Sequence, residues 1–208
     1  LVLTWGLIGP GKGLESAIRA FGDLVDLHPS PRYLIAGATH PHVKEHDGES
    51  YRETLFELVA DLGLDHIVEF DDRYLDRVEL ARLVRSADLV LLPYDSTEQV
   101  TSGVLAEAIA ASKPVVATRF PHAVELLAGG AGVTTTHGDV GEMTDAIRLV
   151  LTDHDGRRSM GVQASRMADG WFWPSIGRRF SAVMSDMADE RNLVGAHLVS
   201  STPAHRVA

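Results

Sequence analysis

The chain contains no cysteine among its 208 residues. This absence excludes a disulfide framework, a thiolate nucleophile and a thiolate metal site, and it fits a reducing compartment such as the cytoplasm. Positive charge is also in deficit, because 19 Lys and Arg stand against 29 Asp and Glu and give a net charge of −10. We therefore expect neither a nucleic-acid groove nor a broadly basic membrane-binding surface.

Long apolar runs are absent as well. No stretch approaches the roughly 18 apolar residues of a membrane-spanning helix, and none has the pattern of a signal peptide. Leu1 already belongs to an apolar segment and is not a natural start, so we expect the chain to be part of a longer protein. Helical periodicity reaches about Asp189. We predict one domain over residues 1–189 and a frayed tail over residues 190–208.

Apolar segments alternate with amphipathic ones along the chain, which predicts a doubly wound parallel sheet of the Rossmann-like α/β class. The predicted strands are Leu1–Trp5, Arg32–Ala36, Ile67–Phe70, Leu89–Leu92, Pro114–Thr118 and Gly132–Thr135. The predicted helices are Glu15–Leu27, Tyr51–Leu62, Arg77–Ser86, Ser102–Ala111, Val140–Leu151, Asp155–Ala168 and Pro174–Asp189. In such a sheet, ligands bind beyond the carboxyl ends of the strands, so the loops there form the predicted site.

The first of these loops, Gly6–Gly13, is rich in glycine and contains Lys12. Glycines such as Gly11 and Gly13 let the backbone turn tightly and approach a ligand, and a lysine ammonium suits phosphate. Neither Ser nor Thr follows the lysine, so this is not a Walker loop, and the spacing is not that of the dinucleotide fingerprint. On motif grounds alone, a glycine-rich turn with a solvated lysine fits equally well.

The second predicted element is the helix that begins after Thr101. The first N–H groups of a helix lack partners and carry partial positive charge, which suits a phosphate. Here they belong to the segment Ser102, Gly103, Val104 and Leu105, in which Ser102 can cap the helix. An ordinary capped helix is the commoner interpretation. The neighbours Gln99 and Glu107 favour a nucleotide-linked ligand, since an amide and a carboxylate can bind sugar and ribose hydroxyls.

Two histidine-bearing loops were candidates for chemistry. His40 and His42 fall in a segment that we predict to be extended, where they point to opposite sides, and we expect no helical pair of histidines one turn apart. We therefore predict hydrogen bonding to substrate in preference to a metal site. His122 and Glu125 follow the fifth strand and are expected to face the cleft. No nucleophile elbow is present, so a Ser–His–Asp triad is not predicted.

Several short motifs occur in a fixed order over Leu1 to Asp189. They are Gly6…Pro10-Gly-Lys-Gly13, Tyr33-Leu-Ile-Ala-Gly37, Ile67-Val-Glu-Phe70, Ala87-Asp-Leu-Val-Leu-Leu-Pro-Tyr94, Ser102-Gly…Glu107-Ala…Lys113-Pro-Val-Val-Ala-Thr118 and Trp173. Together they resemble the C-terminal, donor-binding half of a retaining glycosyltransferase with the GT-B fold, of the family-four or glycosyl transferases group one type. The resemblance implies that the N-terminal acceptor domain is absent from this chain.

The resemblance also implies roles for single residues. Lys12 would hold the diphosphate of a nucleotide-sugar donor, and the backbone of residues 102–105 would contact phosphate. Glu107 would bind the ribose hydroxyls, and the segment after Phe70 would border the base. No cofactor and no metal would be needed, since the nucleoside-diphosphate sugar is itself the donor substrate.

Two departures from the family pattern are visible. The family has two glutamates with seven residues between them, but that spacing from Glu107 leads to Gln99 and not to Glu98. The arginine that often precedes the lysine is missing too, with Leu7-Ile-Gly9 in its place. We therefore expect Lys12 to carry more of the diphosphate charge, with Arg73 as a second cation.

The sequence predicts transfer of a hexose with retention, and a fragment that is inactive alone. The candidate catalytic residues are Lys12, Gln99 and Glu107, and the candidate donor-binding residues are Gly11, Gly13, Arg73, Thr101, Ser102, Gly103, Val104 and Leu105. Two alternatives stay open. One is a non-enzymatic nucleotide- or anion-binding module on the same fold, and the other is a nucleotide-sugar epimerase with the GT-B fold.

Overall fold

A computed structural model describes the backbone of residues 1–200 and the side chains of residues 1–187. Six short strands form one sheet, in which every neighbouring pair is parallel. The strands are β1 (Val2–Trp5), β2 (Tyr33–Ala36), β3 (Val68–Asp71), β4 (Leu89–Leu92), β5 (Val115–Thr118) and β6 (Gly132–Thr135). Their order across the sheet is β3-β2-β1-β4-β5-β6.

Nine helices lie within the described residues. They are α1 (Leu14–Gly22), α2 (Pro41–Asp47), α3 (Ser50–Asp61), α4 (Arg77–Ser86), α5 (Gly103–Ala110), α6 (Pro121–Leu127), α7 (Val140–Thr152), α8 (His154–Ala168) and α9 (Trp173–Ser200). Within that part of the chain, no helix combines the length and the apolar character that a bilayer crossing requires.

The direction of winding reverses between β1 and β4. Val2 on β1 pairs with Tyr33 on one side and with Leu89 on the other, so the chain fills the sheet outward from this centre in both directions. A crevice opens between the loops after β1 and β4 at such a reversal, and it is the place where open α/β sheets bind ligands.

Buried hydrogen bonds hold the three central strands together below that crevice. The Thr4 hydroxyl lies 2.6 Å from the Leu91 carbonyl oxygen, to which it donates, and 2.9 Å from the Tyr33 hydroxyl. The Tyr33 ring stacks on Phe21 of α1 with a centroid separation of 4.5 Å. Burial raises the pKa of Tyr33, so its hydroxyl stays neutral. Below the crevice, the buried hydroxyl groups are therefore hydrogen-bonded and the two aromatic rings are stacked.

Some helix boundaries differ from the predictions. Helix α1 ends at Gly22, well before the predicted Leu27, because the Asp23 N–H turns to the Ala20 and Phe21 carbonyls and closes the last turn. Helices α2 and α6 were not predicted at all; each has seven residues and starts at a proline. Proline favours the first turn, where its missing N–H costs nothing.

The chain divides into two compact units, residues 1–168 and residues 169–208. All six strands and helices α1 to α8 belong to the first unit. The second contains α9, which continues past the predicted helix end at Asp189 to Ser200. Of the predicted frayed tail, residues 201–208 lie outside the described residues.

Candidate functional site

The loops after β1 and β4 are in direct contact at the crevice. The Asp95 N–H donates to the Gly11 carbonyl over 3.1 Å. Gly13 has a φ of 62°, and a Cβ on it would lie 1.8 Å from the Pro93 carbonyl oxygen. Only glycine permits that approach without displacing the neighbouring backbone. The predicted residues Gly11 and Gly13 therefore hold the loop after β1 against the loop after β4.

Lys12 lies between these glycines, half-buried, with its ammonium over an aromatic ring. Its Nζ is 4.5 Å from the centroid of Tyr94, a cation–π contact. Tyr94 in turn stacks on Phe120, and burial raises the pKa of Tyr94 to about 12. Burial also lowers the pKa of the Lys12 ammonium. No ion pair among the described side chains uses Lys12, so no carboxylate compensates its charge.

At the start of α5, fewer backbone N–H groups are available to a phosphate than the sequence predicted. The Ser102 hydroxyl accepts the Leu105 N–H over 3.2 Å, and the Ser102 N–H donates to His122 Nδ1 over 2.8 Å. Both backbone donors are therefore occupied. The N–H groups of Gly103 and Val104 have no acceptor among the described residues. Two donors, not four, are free for an anion at this helix terminus.

Gln99 sits in the loop that leads to α5. Its side-chain Nε2 donates to the Thr101 carbonyl over 3.0 Å, and its backbone carbonyl accepts the backbone N–H of His122 over 3.3 Å. The side chain is half-buried, whereas Glu98 is exposed. The side-chain amide therefore bonds within its own loop, to the carbonyl of the residue that directly precedes the cap Ser102.

Glu107 lies one turn into α5, beside a residue that sequence reasoning missed. Trp5, at the end of β1, points its indole Nε1 at Glu107 Oε2 over 3.4 Å, and Trp5 itself is buried. A large aromatic residue directly before a glycine-rich loop was the available signal. Glu107 also lines a cavity of about 530 Å³ between α4 and α5, in which it is the single predicted site residue among the described lining residues.

A second cavity, of about 150 Å³, lies at the carboxyl ends of β1, β2 and β3. Trp5 lines it, as do Arg73 and Tyr74 from the segment after Phe70. Arg73 makes two hydrogen bonds with the Asp71 carboxylate, of 2.9 and 2.7 Å, and these lower the pKa of Asp71. Lys12 does not line this cavity. Arg73 therefore lines this cavity, where Lys12 is not a lining residue, and Asp71 compensates the charge of Arg73.

An acidic group near the first loop was also missed. Tyr51 of α3 donates to Glu15 over 3.0 Å. Burial, and then the Glu15 charge, raises the pKa of the Asp95 carboxyl. Glu15 lies in the first turn of α1, so an acidic group already stands at this helix start, which is therefore a poorer anion site than the start of α5.

The histidine loop after β2 departs from the prediction. Residues 41–47 form α2, so His42 and His46 lie one turn apart with ring centroids 4.2 Å from each other. The expected extended segment was wrong because Pro41 starts a helix that His40 caps through Nδ1. Among the residues that the structure describes, no group of three or more His, Asp or Glu side chains is placed to hold a metal ion.

The six-stranded parallel sheet and its flanking helices define a Rossmann-like α/β domain whose winding reverses between β1 and β4. The family model of glycosyl transferases group 1 matches residues 1–167, and the chain belongs to this family. This confirms the family inferred from the sequence motifs.

Among curated relatives, the D-inositol 3-phosphate glycosyltransferase of Corynebacterium kroppenstedtii is 31% identical over 187 residues, covering 84% of this chain and 38% of the relative. The enzyme of the same name from Nocardia farcinica is 29% identical over 203 residues, covering 94% and 43%. The chain therefore spans less than half the length of these relatives.

Two solved structures show the same fold. Sucrose-phosphate synthase from Thermosynechococcus elongatus superposes with a TM-score of 0.72 at 20% identity, covering 91% of this chain and 46% of that one. Anabaena HepE in complex with UDP gives a TM-score of 0.74 at 24% identity, covering 89% and 48%. The predicted doubly wound parallel sheet is confirmed.

Proposed function

We propose that this chain is the donor-binding half of a retaining, metal-independent hexosyltransferase that uses a nucleoside-diphosphate sugar, with UDP as the leaving group. The observation that carries the proposal is the placement of three features on the elements that directly follow the paired strands β1 and β4. These are the uncompensated ammonium of Lys12, the two free N–H groups at the start of α5, and the carboxylate of Glu107 on the same helix. The UDP in the Anabaena relative supports uridine.

Lys12 and the start of α5 take the diphosphate in this proposal. Breaking the glycosidic bond of the donor moves negative charge onto the diphosphate, and a site stabilises that charge best with donors already in place. The N–H groups of Gly103 and Val104 are fixed by the helix, and Lys12 is held on the Tyr94 ring by the glycine-rich loop. Arg73 is left out of this group, because Asp71 compensates its charge.

Glu107 takes the ribose hydroxyls. The Trp5 indole donates to one of its carboxylate oxygens, which leaves acceptor capacity for two hydroxyl groups. The cavity of about 150 Å³ lined by Trp5 and Tyr74 adjoins it and takes the base. Gln99, in the loop before α5, would contact hydroxyls of the hexose through its amide oxygen without adding charge, since its Nε2 already donates to the Thr101 carbonyl.

The acceptor site belongs to a further domain in this proposal. The chain covers 38% to 46% of the curated relatives, and none of the crevice residues has a role toward an acceptor. We therefore expect the chain to bind donor nucleotide and to lack transferase activity alone. A cytoplasmic location fits the absence of cysteine.

Calorimetry with UDP, GDP and ADP tests the proposal. We expect UDP to bind, and Lys12→Ala to weaken it by about tenfold, which corresponds to about 1.4 kcal/mol. Lys44→Ala is the matched control, since it removes an exposed lysine that pairs with Glu49 on the far side of the β2 loop. If none of the nucleotides binds, or if Lys12→Ala binds UDP as tightly as the unchanged chain, the proposal is wrong.

A further inference from the structure

We propose that His122 is a positioning residue for the nucleotide, acting through the loop before α5 and through one particular ring nitrogen. The inference rests on the proposed function. His122 makes two hydrogen bonds with that loop. Its Nδ1 accepts the Ser102 N–H over 2.8 Å, and its own backbone N–H donates to the Gln99 carbonyl over 3.3 Å. One residue of α6 therefore holds both ends of the segment 99–102.

The first of these bonds fixes the protonation of the ring. An N–H group can donate only to an unprotonated nitrogen, so Nδ1 carries no proton and the neutral ring bears its hydrogen on Nε2. A cationic imidazole would present an N–H to the Ser102 N–H and break the bond. The arrangement therefore requires an acceptor at the Nδ1 position and not merely a side chain of similar size.

His122 also decides which donors of α5 face the crevice. It occupies the Ser102 N–H, and the Ser102 hydroxyl occupies the Leu105 N–H. The free donors that remain are those of Gly103 and Val104. Without the imidazole, the Ser102 hydroxyl would still cap the helix and the backbone bond from residue 122 to the Gln99 carbonyl would remain. The Ser102 end of the loop, from which the first turn of α5 starts, would lose the side-chain bond that positions it.

The support under His122 is rigid. Phe120 and Pro121 precede it, and the buried Phe120 ring stacks on Tyr94 at 5.3 Å between centroids. Thr118, at the end of β5, donates its hydroxyl to the Tyr94 carbonyl over 2.6 Å. Tyr94 is the ring beneath Lys12. The segment after β5 thus supports the lysine through Tyr94 and the helix start through His122.

Three substitutions at this position test the inference. Asn offers an amide oxygen at nearly the same distance from the backbone as Nδ1, Gln places its oxygen one bond further out, near Nε2, and Ala offers none. We expect His122→Asn to bind UDP within about threefold of the unchanged chain, and His122→Gln and His122→Ala to bind it about tenfold more weakly. Equal binding by the Ala and Asn variants, or stronger binding by Gln than by Asn, would overturn the inference.

A ligand-free measurement separates this inference from the proposed function. Nitrogen NMR of the imidazole should show the Nε2–H tautomer at His122, and the Ser102 amide should exchange slowly in the unchanged chain and in His122→Asn but rapidly in His122→Ala. A proton on Nδ1, or an equally protected Ser102 amide in all three proteins, refutes the role of His122. A chain with the expected tautomer and exchange pattern that binds no nucleotide refutes the proposed function, and with it the nucleotide-positioning role.

Discussion

Lys12 and Glu107 share an arrangement at the scale of single residues: each meets a neutral aromatic group instead of an opposite charge. Lys12 lies over the Tyr94 ring, and Glu107 accepts the Trp5 indole N–H. Neither takes part in an ion pair among the described side chains. A neutral partner orients a charged group without cancelling its charge, so both charges stay available to a ligand.

Replacing Glu107 by Gln should therefore reduce UDP affinity more than replacing its partner. A hydrogen bond to a charged group contributes about 1.5–3 kcal/mol, so we expect Glu107→Gln to weaken UDP about 10-fold or more in calorimetry. Trp5→Phe removes the indole N–H and part of the buried ring system but leaves the Glu107 charge in place, and should cost about threefold. Glu57→Gln, which changes an exposed carboxylate on α3, is the control and should leave UDP affinity unchanged. A larger loss with Trp5→Phe than with Glu107→Gln would contradict this assignment.

Gly13 should be the least replaceable residue of the first loop. An added methyl group would meet the Pro93 carbonyl at 1.8 Å and would stand on a residue with a φ of 62°. We expect Gly13→Ala to lower the free energy of unfolding by about 3 kcal/mol or more in urea titrations, a size typical of strain with a steric clash. Gly11→Ala shares the positive φ but has open space around it, so it should cost only about 1 kcal/mol. Equal costs would mean that the Pro93 contact is relieved without strain.

Several residues of the candidate site could be predicted from the sequence because they lie in contiguous motifs. Lys12, Ser102 and Glu107 follow from local patterns of glycines, caps and spacing. Trp5 and the occupation of the Ser102 N–H by His122 could not be predicted, since they depend on partners far away in sequence. Tertiary contacts decide which N–H groups at a helix start are free, so the sequence predicted more free donors than the structure has.

At the scale of elements, the sequence pattern predicted all six strands and the longer helices and missed two short helices. The predicted bounds of β4, β6 and α4 coincide with those of the structure. Helices α2 and α6 have seven residues each, which is too short to show a 3.6-residue repeat. Both begin at a proline, the same signal that placed the start of α9. Applied to every proline, that rule would have found them, and the pair His42 and His46 with them.

Removing the cap of α4 and removing the cap of α5 should have similar effects on stability but different effects on UDP binding. Asp76 accepts the Val78 and Glu79 N–H groups in a capping box at the start of α4, and Ser102 accepts the Leu105 N–H at the start of α5. Each cap should contribute about 1 kcal/mol to stability. We expect Asp76→Ala and Ser102→Ala to lower the urea midpoint to a similar degree, but only Ser102→Ala to weaken UDP binding. If both variants lost affinity equally, the effect would be one of global stability.

At the scale of the whole molecule, the sign of the total charge opposes the ligand. The chain carries a net charge of −10, yet the proposed donor has a doubly charged diphosphate. In the proposed function the attraction is local, and it comes from Lys12 and the two N–H groups at the start of α5. The order of the strands makes this possible, because it brings the loops after β1 and β4 together. The alternation of strands and helices predicts a parallel sheet, but the sequence of a single strand does not determine which strands lie beside it.

All the candidate site residues lie between Trp5 and His122, inside the compact unit of residues 1–168. We therefore expect a chain that ends at Ala168 to unfold cooperatively and to bind UDP within about twofold of the 208-residue chain, since every contact proposed for the nucleotide is kept. Calorimetry and urea unfolding check this, with Lys12→Ala made in both lengths as the control. The substitution should cause the same loss in each, because it acts on the crevice alone. If the shorter chain stays folded but loses UDP, residues after Ala168 contribute to the site, and the proposed set of donor-binding residues is incomplete.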